Sequence, residues 1–219
     1  MAAMNQIPRR ALVVVDVQNE YESGGLRIAY PPVQDSLRNI GRAMDAAQAA
    51  GIPVIVVQQM APGDAPLFAE GSRGWQLHDV VASRPRGHYV PKKLPSAFAG
   101  TDLRDWLAQH DIDTLTVVGY MTHNCNDTTI KHAFDAGLQV EFLMDASGSV
   151  PYANRAGFAS AEEIHRVFAV VEQSRYAAVL TTDEWLACLA NGTLPERDTI
   201  HASHQRALIR LSNGKAVGS

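Results

Sequence analysis

The sequence predicts a three-layer α/β/α fold, built on a doubly wound, mainly parallel six-stranded sheet of the Rossmann-like kind. Three observations predict it. Short β-branched and apolar runs such as Ala11–Val15 and Leu115–Val118 read as strands buried on both faces. Amphipathic helical patterns alternate with these runs, the order that builds a parallel sheet with helices on both sides. No repeat, low-complexity block or linker interrupts the alternation, and 219 residues at 46% hydrophobic content suffice for one large core. Residues 1–190 are therefore expected to form a single domain, and residues 191–219 a weakly structured tail.

Residues 1–10 are a polar lead-in, and Ala11–Val15 is the first strand, with Asp16 at its carboxyl end and Gln18 and Asn19 close behind. After a Gly-Gly and Pro-Pro loop, Val33–Ala50 reads as an amphipathic helix ended by Gly51, and Pro53–Gln58 as the second strand. Residues 60–87 are Gly- and Pro-rich, and an irregular segment this long inside a domain is usually a functional lid or disordered. His88–Val90 is a short third strand. Thr101 is expected to cap a helix running to about His110, with Asp102 and Asp105 in its first turns. A βαβ unit follows: strand Leu115–Val118, helix Asn124–Ala136 stopped by Gly137, strand Leu138–Met144. A helix over Ser160–Gln173, a sixth strand at Ala177–Leu180 and a helix over Asp183–Ala190 complete the alternation. Beyond Asn191 the pattern weakens, with a short helix expected at His201–Leu211.

Composition narrows the function classes. A net charge of −4 and a pI near 6.0 give no footprint for nucleic acid. The apolar runs are too short to span a bilayer, and Asp16 cuts the run after Arg9-Arg10 too early for a signal peptide. Two cysteines make no disulfide framework and point to a reducing, cytoplasmic setting. The sequons at Asn126 and Asn191 are read as chance. The turn after the first strand, DVQNEYESGG, has no G-x-G-x-x-G, so the dinucleotide fingerprint is absent.

The chemistry centres on Cys125. Free cysteines are commonly buried structural residues, and Cys188, on the apolar side of a late helix, fits that description. Cys125 instead falls just past a strand's carboxyl end and at a helix start, where ligands bind in parallel sheets and where free N–H groups favour a thiolate. Across the switch point, Asp16 would face it, and a lysine from the end of the third strand could reach in.

Three segments carry a resemblance: DVQNEY after the first strand, K-x-x-x-SAF-x-GT-x-L after the third, and GYMTHNC in the central unit. Together they resemble the isochorismatase-like cysteine hydrolases, a family of nicotinamidases, N-carbamoyl amidases and related C–N hydrolases, over about residues 10–190. The resemblance implies a catalytic Asp16, Lys92 and Cys125, an oxyanion hole of the Met121 and Cys125 N–H groups, a cis peptide between Tyr120 and Met121, and homo-oligomers. It selects Lys92 over Lys93, whose side chain should point the other way in an extended segment and be solvated. Gln18, Trp75, His78, Phe98, Tyr120 and His123 are the candidate pocket walls. The metal-binding Asp-x-His pair of nicotinamidases has no counterpart in QQMAPGDAPLF, so neither metal nor cofactor is expected. The expected activity is hydrolysis of an amide or carbamoyl bond in a small molecule through a thioester. The alternatives are a vinyl-ether hydrolase of the isochorismatase type, which does not need the cysteine, and a non-catalytic binding subunit.

Overall fold

Six parallel strands form the central sheet of the computed structural model, which describes residues 8–215. In chain order the elements are β1 (Arg10–Val15), α1 (Glu20–Ser23), α2 (Val33–Ala49), β2 (Val54–Gln59), α3 (Asp79–Ala82), β3 (His88–Lys92), α4 (Leu103–Gln109) and β4 (Thr114–Tyr120). A π-helical turn, Thr122–Asn126, leads into α5 (Asp127–Asp135), followed by β5 (Gln139–Gly148) and a small antiparallel hairpin, β6 (Tyr152–Asn154) and β7 (Gly157–Ala159). Then come α6 (Ala161–Val171), a second π-helical turn (Glu172–Tyr176), β8 (Ala178–Leu180), α7 (Thr182–Asn191) and α8 (Ile200–Lys215).

The sheet order is β3-β2-β1-β4-β5-β8, so β1 and β4 are neighbours at the switch point, as expected. Alternate residues of β1 serve opposite layers. Leu12 and Val14 pack with Leu37, Ile40 and Met44 of α2 and with Trp185 of α7. Ala11, Val13 and Val15 pack with Leu103 and Leu107 of α4 and with Ile130 and Ala133 of α5. Both faces are thereby covered, which is why these strands lack polar alternation. Helices α6 and α7 each open on a reciprocal cap, Ser160 with Glu163 and Thr181 with Glu184.

The structure departs from the sequence reading at several places. β5 runs on to Gly148, past the expected end at Met144, and the β6–β7 hairpin was not anticipated from its short, exposed strands. The 60–87 segment is tied down by α3 and by bridges Gln18–Leu77 and Ala61–Ala69. Asp102, not Thr101, holds the N-cap position of α4, although the Thr101 hydroxyl accepts from the Leu103 N–H. Helix α8 fills most of the stretch read as a weakly structured tail, and extends beyond His201–Leu211. Most of the polar lead-in, and the end of the tail beyond residue 215, lie outside the described residues. No described helix is long and apolar enough to cross a membrane.

Candidate active site

The carboxyl ends of β3, β2, β1 and β4 converge on one spot because of their register. Lys92 pairs opposite Gln59, Val15 opposite Val57, and Val15 opposite Gly119. Asp16 follows directly with φ +51, a left-handed conformation that aspartate tolerates better than most residues. Gly119 (φ +104) lets β4 close on β1: a Cβ there would stand 2.1 Å from the Val15 carbonyl oxygen. The Lys92 side chain runs inward. Its Nζ lies 2.7 Å from Asp16 Oδ2, donates to Gln59 Oε1 at 2.7 Å and reaches Cys125 Sγ at 3.4 Å. The Asp16–Lys92 contact is close but off-axis, so it acts as an ion pair, and neither Asp16 oxygen receives a well-directed hydrogen bond.

Cys125 is carried by the π-helical turn rather than by a regular helix start. The Met121 carbonyl accepts from the N–H groups of both Asn124 (3.1 Å) and Asn126 (3.2 Å), which folds the turn back on the end of β4. The fully buried Asn126 amide donates to the Gly119 carbonyl at 2.8 Å and to Ser147 Oγ at 3.2 Å, and Thr128 Oγ1 donates to the Asn124 carbonyl at 2.8 Å. Thr122 is anchored to His165 Nδ1 at 2.9 Å. The peptide between Tyr120 and Met121 is cis. The Met121 N–H donates to no protein acceptor among the described residues.

The electrostatics correct one expectation. Burial, joined by the Asp16 charge, pushes the Cys125 thiol up to about 12, and the Lys92 ammonium offsets only part of the rise. The resting group is a thiol, not the thiolate that a helix start would favour. Burial also raises the Asp16 carboxyl above the usual carboxylate range, against the pull of Lys92. Burial opposes the Lys92 charge, but Asp16 and Cys125 outweigh it and hold the ammonium above its ordinary value. Among the described residues, no group of three or more His, Cys, Asp or Glu is placed to hold a metal ion.

A cavity of about 230 Å³ opens over Cys125, walled by Tyr21, Leu26, Phe68, Pro95 and Met121 with Gln59, Asn124 and Lys93. None of the six candidate pocket walls lines it, and each has another engagement. Gln18 is buried and ties the end of β1 to the Gln59 and Trp75 backbones. Trp75 donates from Nε1 to Met60 Sδ at 3.2 Å. His78 caps α3, its Nδ1 accepting from the Val80 N–H, and its Nε2 faces Glu22. Phe98 stacks on His132 in the core, and the Tyr120 hydroxyl is held 2.6 Å from Ser36 Oγ. His123 lines a separate cavity with Tyr152 and Phe158 of the hairpin. Of the missed residues, Gln59 was findable, since it ends a strand whose neighbours were already singled out. Tyr21, in the four-residue α1, and Leu26 and Phe68, in irregular segments, carry no periodic signal.

Comparison with known proteins places this chain among relatives. Residues 10–184 match the family model described as the isochorismatase domain. A protein of known crystal structure from Burkholderia xenovorans LB400 is similar over 94% of this chain and 100% of its own, at 64% identity and a TM-score of 0.93. The ureidoacrylate amidohydrolase RutB of Pseudomonas syringae is 31% identical over 63% of this chain and 69% of its own. The nicotinamidase of Escherichia coli is 26% identical over 66% of this chain and 85% of its own.

Proposed function

Since this chain belongs to the isochorismatase family of hydrolases, we propose that it is a cysteine-dependent hydrolase of an amide or carbamoyl C–N bond in a small molecule. The observation that carries the reading is Lys92 bridging Asp16 and Cys125 in a buried floor, with the Asp16 oxygens free of well-directed donors. Two of the relatives are by name amide hydrolases, which supports C–N chemistry.

In the proposed cycle Asp16 takes the Cys125 proton as the sulfur attacks the carbonyl carbon. A thiol at about 12 does not ionise beforehand, so proton loss accompanies the attack. Lys92 faces both groups and neutralises whichever is anionic. The Met121 and Cys125 N–H groups would receive the oxyanion, where loss of a single donor typically costs ~10²–10³ in rate. Protonated Asp16 gives its proton to the amine as the C–N bond breaks, leaving a thioester. Asp16 then takes a proton from water, the resulting hydroxide attacks the thioester, the C–S bond breaks, and the proton returns to sulfur as the acid leaves. The reading includes no metal or cofactor. It also includes self-association, through faces such as Val167 and Val170 of α6 that are exposed in one copy.

Ammonia or amine release from a panel of amides, lactams and carbamoyl compounds tests the proposal. Cys125→Ala is expected to abolish turnover and Cys188→Ala to retain it. A fully active Cys125→Ala protein, releasing pyruvate from a vinyl ether, would replace this reading with the cysteine-independent one.

A further inference from the structure

We propose that Lys93 is a specificity-determining residue, selecting small substrates that carry a carboxylate away from the scissile bond. The inference rests on the reading of Cys125 as nucleophile. Lys92 and Lys93 are neighbours at the extended end of β3, so their side chains leave the strand on opposite sides. Lys92 is buried and its charge is matched by Asp16. Lys93 is exposed, lies within ion-pair distance of no carboxylate among the described residues, and forms part of the wall of the cavity over Cys125.

The remaining walls are neutral. Tyr21, Leu26, Phe68 and Pro95 offer apolar or aromatic surface, and Gln59 and Asn124 offer uncharged polar groups. With Asp16 and Lys92 cancelling each other beneath the floor, the Lys93 ammonium is the unbalanced charge at this opening. Glu70 shares a wall with Lys93 only in the neighbouring cavity, of about 620 Å³. A low-dielectric concavity rimmed by one sign of charge focuses its field on what enters. Lysine suits this task, being a hydrated point charge on a flexible stem that attracts an anion without fixing its geometry. The volume over Cys125, about 230 Å³, falls below the ~300–1,000 Å³ of pockets for drug-sized ligands. The preferred substrate is thus a small monoanion, its scissile carbonyl at Cys125, its middle against the aromatic walls and its carboxylate toward Lys93. Cationic amides are selected against.

Alkylation of Cys125 reads this preference without knowledge of the substrate. Iodoacetate and iodoacetamide differ in charge but react with the same sulfur, and peptide mass spectrometry can follow Cys125 with Cys188 as internal reference. At one fixed pH, the iodoacetate-to-iodoacetamide rate ratio at Cys125 should fall roughly fivefold in Lys93→Gln, as for loss of one screened charge. It should fall further in Lys93→Glu and return in Lys93→Arg. Added salt should lower the wild-type ratio toward that of Lys93→Gln. An unchanged ratio in Lys93→Gln overturns the proposal, as does an equal loss of rate with both reagents, which would place the effect on the thiol itself. A changed ratio with a fully active Cys125→Ala protein would instead overturn the assignment of the nucleophile.

Discussion

Two buried ion pairs occupy opposite ends of β1, and they are built on different terms. At the start of the strand, Arg10 grips Glu141 with its Nε at 3.0 and 3.1 Å and its Nη2 at 2.8 Å. Thr116 Oγ1 and Trp185 Nε1 donate to the same carboxylate at 2.7 and 2.9 Å. Every side of that carboxylate is engaged. Past the other end, Asp16 has a cation at 2.7 Å but no well-directed donor on either oxygen. A fully bonded buried pair fixes strands in register, whereas an incompletely bonded one keeps an acceptor ready for a proton that arrives later. Packing tolerates the second arrangement because the surrounding sheet is rigid and Lys92 is itself anchored by Gln59.

Exchanging the carboxylates for amides sharpens this contrast most. Asp16→Asn preserves shape and suits the left-handed backbone but leaves the buried Lys92 charge unmatched, so stability should fall and turnover of the folded fraction should drop by ~10²–10⁴. Glu141→Gln should cost stability alone. It strands a buried guanidinium at a cost of roughly 3–5 kcal/mol, or about 10 °C in Tm for a chain of this size, while the folded fraction keeps its turnover. Equal losses of turnover in the folded fractions of the two variants would erase the distinction.

Lys92→Ala should produce the next largest effect. The lysine lowers the thiol pKa against burial, so its removal should push the alkylation profile of Cys125 to still higher pH and cut turnover by about 10² or more. A profile that stays in place would separate Lys92 from the sulfur.

The smallest effect tests whether orphaned oxygens alone mark a reactive group. Glu172 is buried with neither oxygen in a well-directed hydrogen bond and with Lys131 Nζ 3.9 Å from Oε1, and burial, aided by Asp127, raises it to about 9 from an ordinary 4.5. A carboxyl raised on folding stabilises most below its unfolded pKa and loses that contribution as pH climbs through the folded one. Stability should therefore decline between about pH 4.5 and pH 9 and level off above. Glu172→Gln should flatten Tm over that window and leave turnover alone. A large loss of turnover in this variant would extend the reactive centre to the second π-helical turn.

The strand ends were legible because their signals are local. Apolar runs, a breaking Asp16 or Gly119 and the alternation of helices needed no knowledge of distant contacts. The same rule brings Asp16, Cys125 and a lysine from the end of the third strand to one edge, and the family resemblance selects Lys92. The cavity walls were not legible for a corresponding reason. Phe98 and Tyr120 lie within the motifs in sequence, yet their rings turn to His132 and Ser36, because facing is decided by which layer has room. Tyr21 and Phe68, whose rings meet at 5.3 Å, are brought over Cys125 by segments whose path depends on Gln18 and the bridges of the 60–87 region. The π-helical turn was equally hidden, since Asn126 and Thr128 hold it through side-chain bonds that helical periodicity does not encode.

A thiol held near 12 also bears on survival under oxidative stress. Peroxide attacks the thiolate, and at pH 7 such a group is ionised in roughly one molecule in 10⁵. Between turnovers Cys125 should be a poor target for peroxide, unlike thiols that owe their reactivity to a depressed pKa. Its nucleophilicity appears while a carbon electrophile lies within reach and Asp16 can take the proton. Incubation with millimolar peroxide should leave most of the activity intact over times that consume a thiol ionised at rest. Rapid sulfenic acid formation at Cys125 would mean that the sulfur is exposed as its anion after all.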